Sequence, residues 1–378
     1  TLKCWGYGAG GRLGIGSTTD ENTPQTVNLG IGKTAVSLSV GGDHTCAILN
    51  SGSIKCWGMG SLGQIGDGSN DNVRSTPSSV NLGFGRTAMS VSAGYGHTCA
   101  VLDNGSVSCW GQGTQGELGD GTTSTRSSPA LTSSLGTNRT AVAVSAGYSH
   151  NCVILDNGLV SCWGAGGIGQ LGNGGTSQQN SPTLTSSLGA NRTAVAISSG
   201  SYHTCAILDN GSVSCWGFGG YGQLGNGGNS NQNTPQTINL GLGRTAVSIS
   251  AGGAITCAVL DDASITCWGS NQVGQLGLGT TTDHNTPQTV NLGFGRTTVS
   301  VSTTSTHTCA VLDDGSLSCW GSNQYGQFGD GAFQNRLEPS TNFTDVTPVW
   351  KSKTTAVEGQ SMVGYILGDL FDNLNTSQ

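Results

Sequence analysis

The triplet Cys-Trp-Gly occurs seven times in this chain of 378 residues, with its tryptophan at Trp5, Trp57, Trp110, Trp163, Trp216, Trp268 and Trp320. Successive copies are 52 or 53 residues apart. So regular a period constrains the fold more than any local propensity, because each copy must be a supersecondary unit that buries its apolar face against its neighbours. The copy around Trp110 reads Arg86-Thr-Ala-Met-Ser-Val-Ser-Ala-Gly94, His97-Thr-Cys-Ala-Val-Leu102, Asp103-Asn-Gly105, Ser106-Val-Ser-Cys-Trp-Gly111, then a glycine-rich stretch ending Gly116-Glu-Leu-Gly-Asp-Gly121. Short alternating runs bounded by glycine and aspartate predict three strands. A fourth is predicted after the proline of Thr-Pro-Gln-Thr-Val-Asn-Leu, at 23–29 and 286–292, and at 234–240 with isoleucine for valine. Proline suits the start of an edge strand.

Four antiparallel strands per repeat is the arithmetic of a propeller blade. A solenoid would need terminal caps, and none is visible. The expected fold is all-β: a seven-bladed β-propeller with four-stranded blades, a single domain over 1–378 in which 1–335 are repeat and 336–378 a divergent segment completing the last blade. The chain starts at Thr1-Leu-Lys-Cys4-Trp5-Gly6, which is the third strand of a blade. Residues 353–357 and 362–367 faintly echo the two strands missing before it. The N- and C-terminal segments are therefore expected to close the ring and remove its open edges. A start in mid-blade with no leader reads as a mature or trimmed product.

Glycine supplies 64 residues and charged side chains only 9%, a composition foreign to helices and to ordinary soluble domains. No stretch approaches the ~18 consecutive apolar residues of a membrane span. The 8 prolines accompany no G-X-Y period, and eight tryptophans within 34% hydrophobic content can fill a core, which sets collagen and disorder aside. A net charge of −7 without a basic cluster argues against nucleic acid as a partner.

Trp216-Gly217, Gly222-Gln-Leu-Gly-Asn-Gly227, Thr234-Pro235 and the Ala146-Gly147 and His150 turn together resemble the repeat family named for the regulator of chromosome condensation, also called alpha-tubulin suppressor-like. The likeness covers residues 1–335. It implies a seven-bladed propeller and by itself no function. The resembled family includes secreted propellers that inhibit enzymes as well as a nuclear nucleotide-exchange factor. The paired cysteines described next point to a secreted variant, since the exchange role belongs to a reducing compartment.

Six cysteine pairs share one spacing of ten: Cys46 and Cys56, Cys99 and Cys109, Cys152 and Cys162, Cys205 and Cys215, Cys257 and Cys267, Cys309 and Cys319. If Asp103-Asn104-Gly105 is a three-residue hairpin loop, Cys99 faces Cys109 across the strands at a separation a disulfide spans. Six intra-blade disulfides are expected, each worth roughly 2 to 3 kcal/mol in the chain-entropy model. A zinc half-site built on His97, Cys99 and Cys109 is the rival, but Ile255 replaces the histidine while Cys257 and Cys267 stay. His44, His97, His150, His203 and His307 are read as core groups bonded to backbone. Six disulfides imply an oxidising compartment, hence a secreted or cell-surface protein. Sequons at Asn104, Asn138, Asn191, Asn210, Asn342 and Asn375 are possible glycosylation sites that agree with it weakly. Cys4 is left over, either a free thiol, an intermolecular bridge or a group whose partner was lost.

Motifs that suggest chemistry recur with the repeat and so read as turns. Gly58-x-Gly60-x-x-Gly63 matches a dinucleotide fingerprint but lacks the following helix. Asp67-Gly-Ser-Asn-Asp71 resembles part of a calcium loop without its glycine and distal glutamate. No constellation breaks the repeat as a catalytic site would, so no enzyme activity, metal or cofactor is expected. Strand direction puts the Asp-Asn-Gly turns on one rim with Lys33, Arg86, Arg139, Arg192, Arg244 and Arg296. It puts the divergent loops 67–76, 120–128, 173–181, 226–234, 278–286 and 330–338 on the other. The first rim is expected to hold structural ion pairs with Asp103, Asp156, Asp209, Asp261 and Asp313, or else to be a charged docking rim; the second rim is where binding usually resides. The leading expectation is a non-enzymatic extracellular propeller serving as a structural, self-assembling subunit of a surface or filament. The alternative is a secreted recognition module that binds a carbohydrate or a protein through its variable loops.

Overall fold

Five of the repeats fold into all four of the strands their sequence predicts. In the computed structural model, which describes residues 1–340, the chain opens with β1 (Leu2–Gly6) and β2 (Glu21–Val27), a two-stranded antiparallel sheet. Blade one follows as β3 (Ala35–Val40), β4 (His44–Leu49), β5 (Ile54–Met59) and β6 (Val73–Val80), paired in sequence order. The same meander recurs over 88–131, 141–184, 194–238 and 246–289 as blades two to five. Blade six has three strands over 298–321, and a bridge between Gly321 and Arg336 stands where its fourth would be. Arg336 therefore serves blade six, although it falls within the segment 336–378 assigned to the last blade.

The fold is an all-β propeller, but the described residues form six blades rather than seven. The reason is that β1 and β2 correspond to the third and fourth strands of the repeat and have no inner pair beside them among the described residues. The segments 353–357 and 362–367, expected to supply that pair, lie outside the described residues. The two-stranded sheet nevertheless occupies a place in the ring. Trp5 packs with Cys309, Val311 and Phe328 of blade six, and Leu2, Cys4 and Val27 pack with Ala47, Leu49 and Trp57 of blade one.

Three interactions join successive blades. The first strands neighbour one another around the axis, and a serine of each accepts a backbone N–H from the next: Ala93 to Ser39 at 2.9 Å, Ala146 to Ser92 at 2.9 Å, Ser199 to Ser145 at 2.8 Å. Second, the six tryptophans of the blades are fully buried, and each indole N–H donates to a backbone carbonyl of the preceding unit, as Trp110 does to Gln64 (2.9 Å) and Trp163 to Glu117 (2.8 Å). Trp5 makes the same bond to Gln327 (2.9 Å), so the lock passes through the two-stranded sheet. This explains the Gln-Leu-Gly motif. At Gly66, with φ +79°, a Cβ would stand 2.5 Å from the Trp110 indole nitrogen, so no other residue leaves room for the ring.

The third interaction is histidine-borne. His44 Nε2 lies 2.7 Å from Thr98 Oγ1 of the next blade, and Thr98 donates its hydroxyl proton to the Gln64 carbonyl (3.0 Å). The histidine must then donate and the threonine accept. His150 with Thr204 and His203 with Thr256 repeat the bond at 2.9 Å, and His97 uses Asn151 at 3.0 Å. These four histidines thus bond side chains of the next blade, not backbone as expected, because the second strand brings them to the blade interface, whereas His307 Nδ1 lies 2.9 Å from Thr304 Oγ1 in its own turn.

All six cysteine pairs are disulfides, with Cα atoms 4.1 Å apart and no exposed surface. Their register places Cys99 opposite Cys109 and Cys152 opposite Cys162, as the hairpin geometry requires. The zinc reading therefore fails, since both sulfurs are bridged and the Nε2 proton is engaged. On the outer strands, Pro24, Pro77, Pro129, Pro182, Pro235 and Pro287 sit inside the strand rather than at its start. Each lies where the pairing register shifts. A missing N–H at a bulge blunts the edge against pairing with another chain.

Candidate functional site

The two rims of the disc differ in chemistry. On the turn rim, Arg86 pairs with Asp103, Arg139 with Asp156 and Arg192 with Asp209, all at 3.2 Å, and Arg244 and Arg296 reach Asp261 and Asp313 at 3.5 and 3.4 Å. The same aspartates accept the backbone N–H of Thr87, Thr140, Thr193, Thr245 and Thr297. These are half-exposed pairs that brace each blade's own turn, so the structural expectation holds. Lys33 stands where the arginines do, but Asn50 replaces its aspartate.

The turns just before these cations carry a second feature. Ile31, Phe84, Leu242 and Phe294 are each more than 100% exposed. They occupy the tips of β-turns whose next residue, such as Gly85 (φ +70°), is left-handed. The two remaining copies have Thr137-Asn138 and Ala190-Asn191 there, with the asparagines at φ +54° and +56°. Asparagine is the non-glycine residue best suited to that conformation. The sequons at Asn138 and Asn191 thus follow from backbone geometry plus the repeat's Arg-Thr. Asn104 and Asn210 are exposed on Asp-Asn-Gly turns of the same rim, while Asn342 and Asn375 lie outside the described residues.

On the loop rim, the calcium candidate proves to be a clip. Asp67 accepts from the Ser69 amide and hydroxyl, Ser78 and Arg74, and Asp71 pairs with the same arginine. Partial burial alone would raise its pKa, but these donors bring it down to about 2. A guanidinium fills the place a cation would take. Asp120 with Arg126 and Asp330 with Arg336 repeat the clip. In loops 173–181 and 226–234, Asn173 and Asn226 replace the aspartate and bond only the Gly175 and Gly228 amides, and neither loop contains a charged residue.

Beside those two loops runs an aromatic band. The turns between first and second strands ring the axis and are tied together, with Tyr95 N–H donating to Gly147 and Tyr148 N–H to Ser201. Tyr95 stacks on Tyr148 with centroids 4.2 Å apart, and Tyr148 meets Tyr202 at 5.2 Å. The Tyr202 carbonyl accepts from the Phe218 amide, and Phe218 meets Tyr221 edge-on at 5.9 Å, which carries the band outward over blade four. Tyr202 and Tyr221 are 40% and 42% exposed. Burial, the neighbouring Tyr95 and Tyr202, and Asp43 push the Tyr148 hydroxyl up to about 12, so it remains a hydrogen-bond donor. Across the axis the equivalent turns hold small residues, Gly253-Ala254 and Ser305-Thr306. Sequence reasoning missed this band because its tyrosines shift within the turn: Tyr95 and Tyr148 directly follow the glycine, whereas Tyr202 is one residue later. Counting tyrosines against the Gly-x-x-His turn would have found it.

A model of the RCC1-like domain matches residues 1–363. The chain belongs to the RCC1-like domain family. The ultraviolet-B receptor UVR8 of Arabidopsis thaliana is 30% identical to this RCC1-like propeller over 336 residues, covering 89% of this chain and 76% of the receptor. The E3 ubiquitin-protein ligase HERC2 of Homo sapiens is 32% identical over 314 residues, which are 82% of this chain but 6% of the ligase. The crystal structure of Prp20p from Saccharomyces cerevisiae superposes with a TM-score of 0.80 at 22% identity, covering 91% of this chain and 86% of that one. Human WBSCR16 gives 0.82 at 20% identity, covering 89% and 93%. At those identities the structural likeness speaks for the fold alone.

Proposed function

We propose that this RCC1-like propeller is a non-enzymatic extracellular recognition module that binds a protein through its loop rim, over the aromatic band of blades two to four. The observation that carries the reading is the meeting of Tyr148, Tyr202, Phe218 and Tyr221 with two charge-free, amide-rich loops on a rigid scaffold. Partly exposed tyrosines supply large contact area at small entropic cost, and Asn and Ser supply adaptable hydrogen bonds. Six buried disulfides support an oxidising compartment. The likeness to Prp20p, whose structures are described with its binding to Gsp1p, histones and Kap60, supports protein binding as a use of this fold. We further read β1 and β2 as the outer half of a seventh blade.

The test screens the intact, oxidised protein in parallel against arrays of extracellular protein domains and of glycans. A protein hit lost in a Tyr148→Ser, Tyr202→Ser variant with an unchanged unfolding midpoint supports the reading. Hits indifferent to that variant, or confined to glycans, oppose it. A second reading, the self-assembling structural subunit, is favoured by the sparse charge and by the apolar tips of the turn rim. The proline-blunted outer strands leave only the disc faces for such contacts, and sedimentation over a wide concentration range would reveal them.

A further inference from the structure

The exposed apolar tips are not scattered. In ring order, Leu242 and Phe294 precede blades five and six, and Ile31 and Phe84 precede blades one and two. They form one sector that passes across the two-stranded sheet. The polar tips Thr137 and Ala190-Asn191 precede blades three and four, and the exposed sequon residues Asn104 and Asn210 belong to blades two and four. The repeat thus divides the turn rim into an apolar sector and a polar one that carries the sequons at Asn138, Asn191 and Asn210, while Asn104 stands on the blade-two turn whose Asp103 pairs with Arg86 next to the Phe84 tip.

The ground between the tips is polar. Asn28, Asn81, Asn239 and Asn291 each cap the turn below by accepting a glycine N–H. The tips are therefore isolated spikes one or two ring places apart, set at one level by the repeat, and not a continuous apolar patch. A protein partner buries a contiguous apolar core, whereas a bilayer accepts separate side chains at its headgroup boundary wherever they lie in one plane. Charge points the same way. Lys33 follows the Ile31 turn, and Lys3 and Lys55 lie one residue inside neighbouring strands at this end. None of these three lysines forms an ion pair among the described residues, in a chain whose net charge is −7. Asp261, Asp262, Asp313 and Asp314, the carboxylates of the sector in blades five and six, are held by Arg244 and Arg296.

We propose that the sector bearing Ile31, Phe84, Leu242 and Phe294 docks this propeller on an anionic phospholipid surface, with the four side chains inserted at the interface and the lysines among the headgroups. The loop rim would then face away from the membrane. Interfacial burial of one large apolar side chain changes partitioning by about tenfold or more, and phosphate-bound lysines add a salt-sensitive part.

The experiment is co-sedimentation of the full, oxidised chain with vesicles of phosphatidylcholine containing phosphatidylserine, and with phosphatidylcholine alone. The expected result is salt-sensitive binding to the anionic vesicles, reduced about a hundredfold in Phe84→Ser, Phe294→Ser and unchanged in Tyr202→Ser. Phe84 and Phe294 are fully exposed, so the double variant should unfold at the wild-type midpoint. Absence of vesicle binding, binding insensitive to the double variant, or a dimer in solution that the double variant abolishes would each overturn the proposal, the last by assigning the tips to a second copy. Failure here leaves the loop-rim reading standing, since the two use opposite faces.

Discussion

Blade three and the two-stranded sheet β1–β2 hold comparable places in the ring but are built to different depths. Both carry the indole lock, Trp163 to Glu117 and Trp5 to Gln327. Among the described residues only blade three has the inner strands, and with them the disulfide Cys152–Cys162 and the His150 bond to the next blade. Trp163 is fully buried and Trp5 is 6% exposed; Cys152 is bridged and Cys4 is a buried free thiol. The difference separates two functions of the repeat. Its outer half joins neighbours through tryptophan and glycine, and its inner half stiffens the six blades with sulfur and four of their interfaces with histidine.

The largest expected effect is acid unfolding. Burial holds the imidazoles of His44, His150, His203 and His307 down at about 3 and that of His97 at about 4. With folded values below the unfolded 6.5, the unfolded chain binds more protons, so stability is full above pH 6.5 and falls as pH drops toward 4. Each histidine costs up to about 1.4 kcal/mol per pH unit in that window. The comparison sharpens in hydrogen exchange at pH 5: blades one to four should lose protection before blade five, where Ile255 replaces histidine, and equal loss in all blades would break it.

Next in size, Trp163→Ala should cost about 3 to 5 kcal/mol in denaturant melts, and Trp5→Ala less because Trp5 keeps 6% of its surface exposed where Trp163 keeps none. Equal costs would mean that the indole lock alone carries ring stability. Replacing Cys152 and Cys162 together by alanine should cost about 2 to 3 kcal/mol, while Cys4→Ala should change the melt by less. The smallest effect belongs to the turn rim, where Arg86→Ala should cost under about 1 kcal/mol and fade with salt.

Much of this was legible in the sequence because the repeat states each rule several times. The ten-residue cysteine spacing around Asp-Asn-Gly fixes the register that becomes a bridge, and the arginine–aspartate rim follows from strand direction alone. What stayed hidden involves contacts between blades. Nothing local says that His44 reaches Thr98, or that the glycine of Gln-Leu-Gly lies under the next indole, since both partners are half a repeat or more away. The aromatic band was hidden for the opposite reason: it departs from the repeat, with Tyr202 out of phase with Tyr148. The seventh blade was expected from the period, the family resemblance and the faint echo at 353–357 and 362–367; the described residues form six blades and a two-stranded sheet.

The account's central claim is a propeller stapled inside its blades, and disulfide mapping of the native protein tests it most directly. Intact mass under non-reducing conditions, with alkylation before and after denaturation, should show six bridges between cysteines ten apart. A single thiol, Cys4, should label only after unfolding, because burial pushes it up to about 12 and leaves it 4% exposed. Twelve further labels on the native source material, or bridges between different blades, would contradict the account and remove the basis for placing the protein outside the cell.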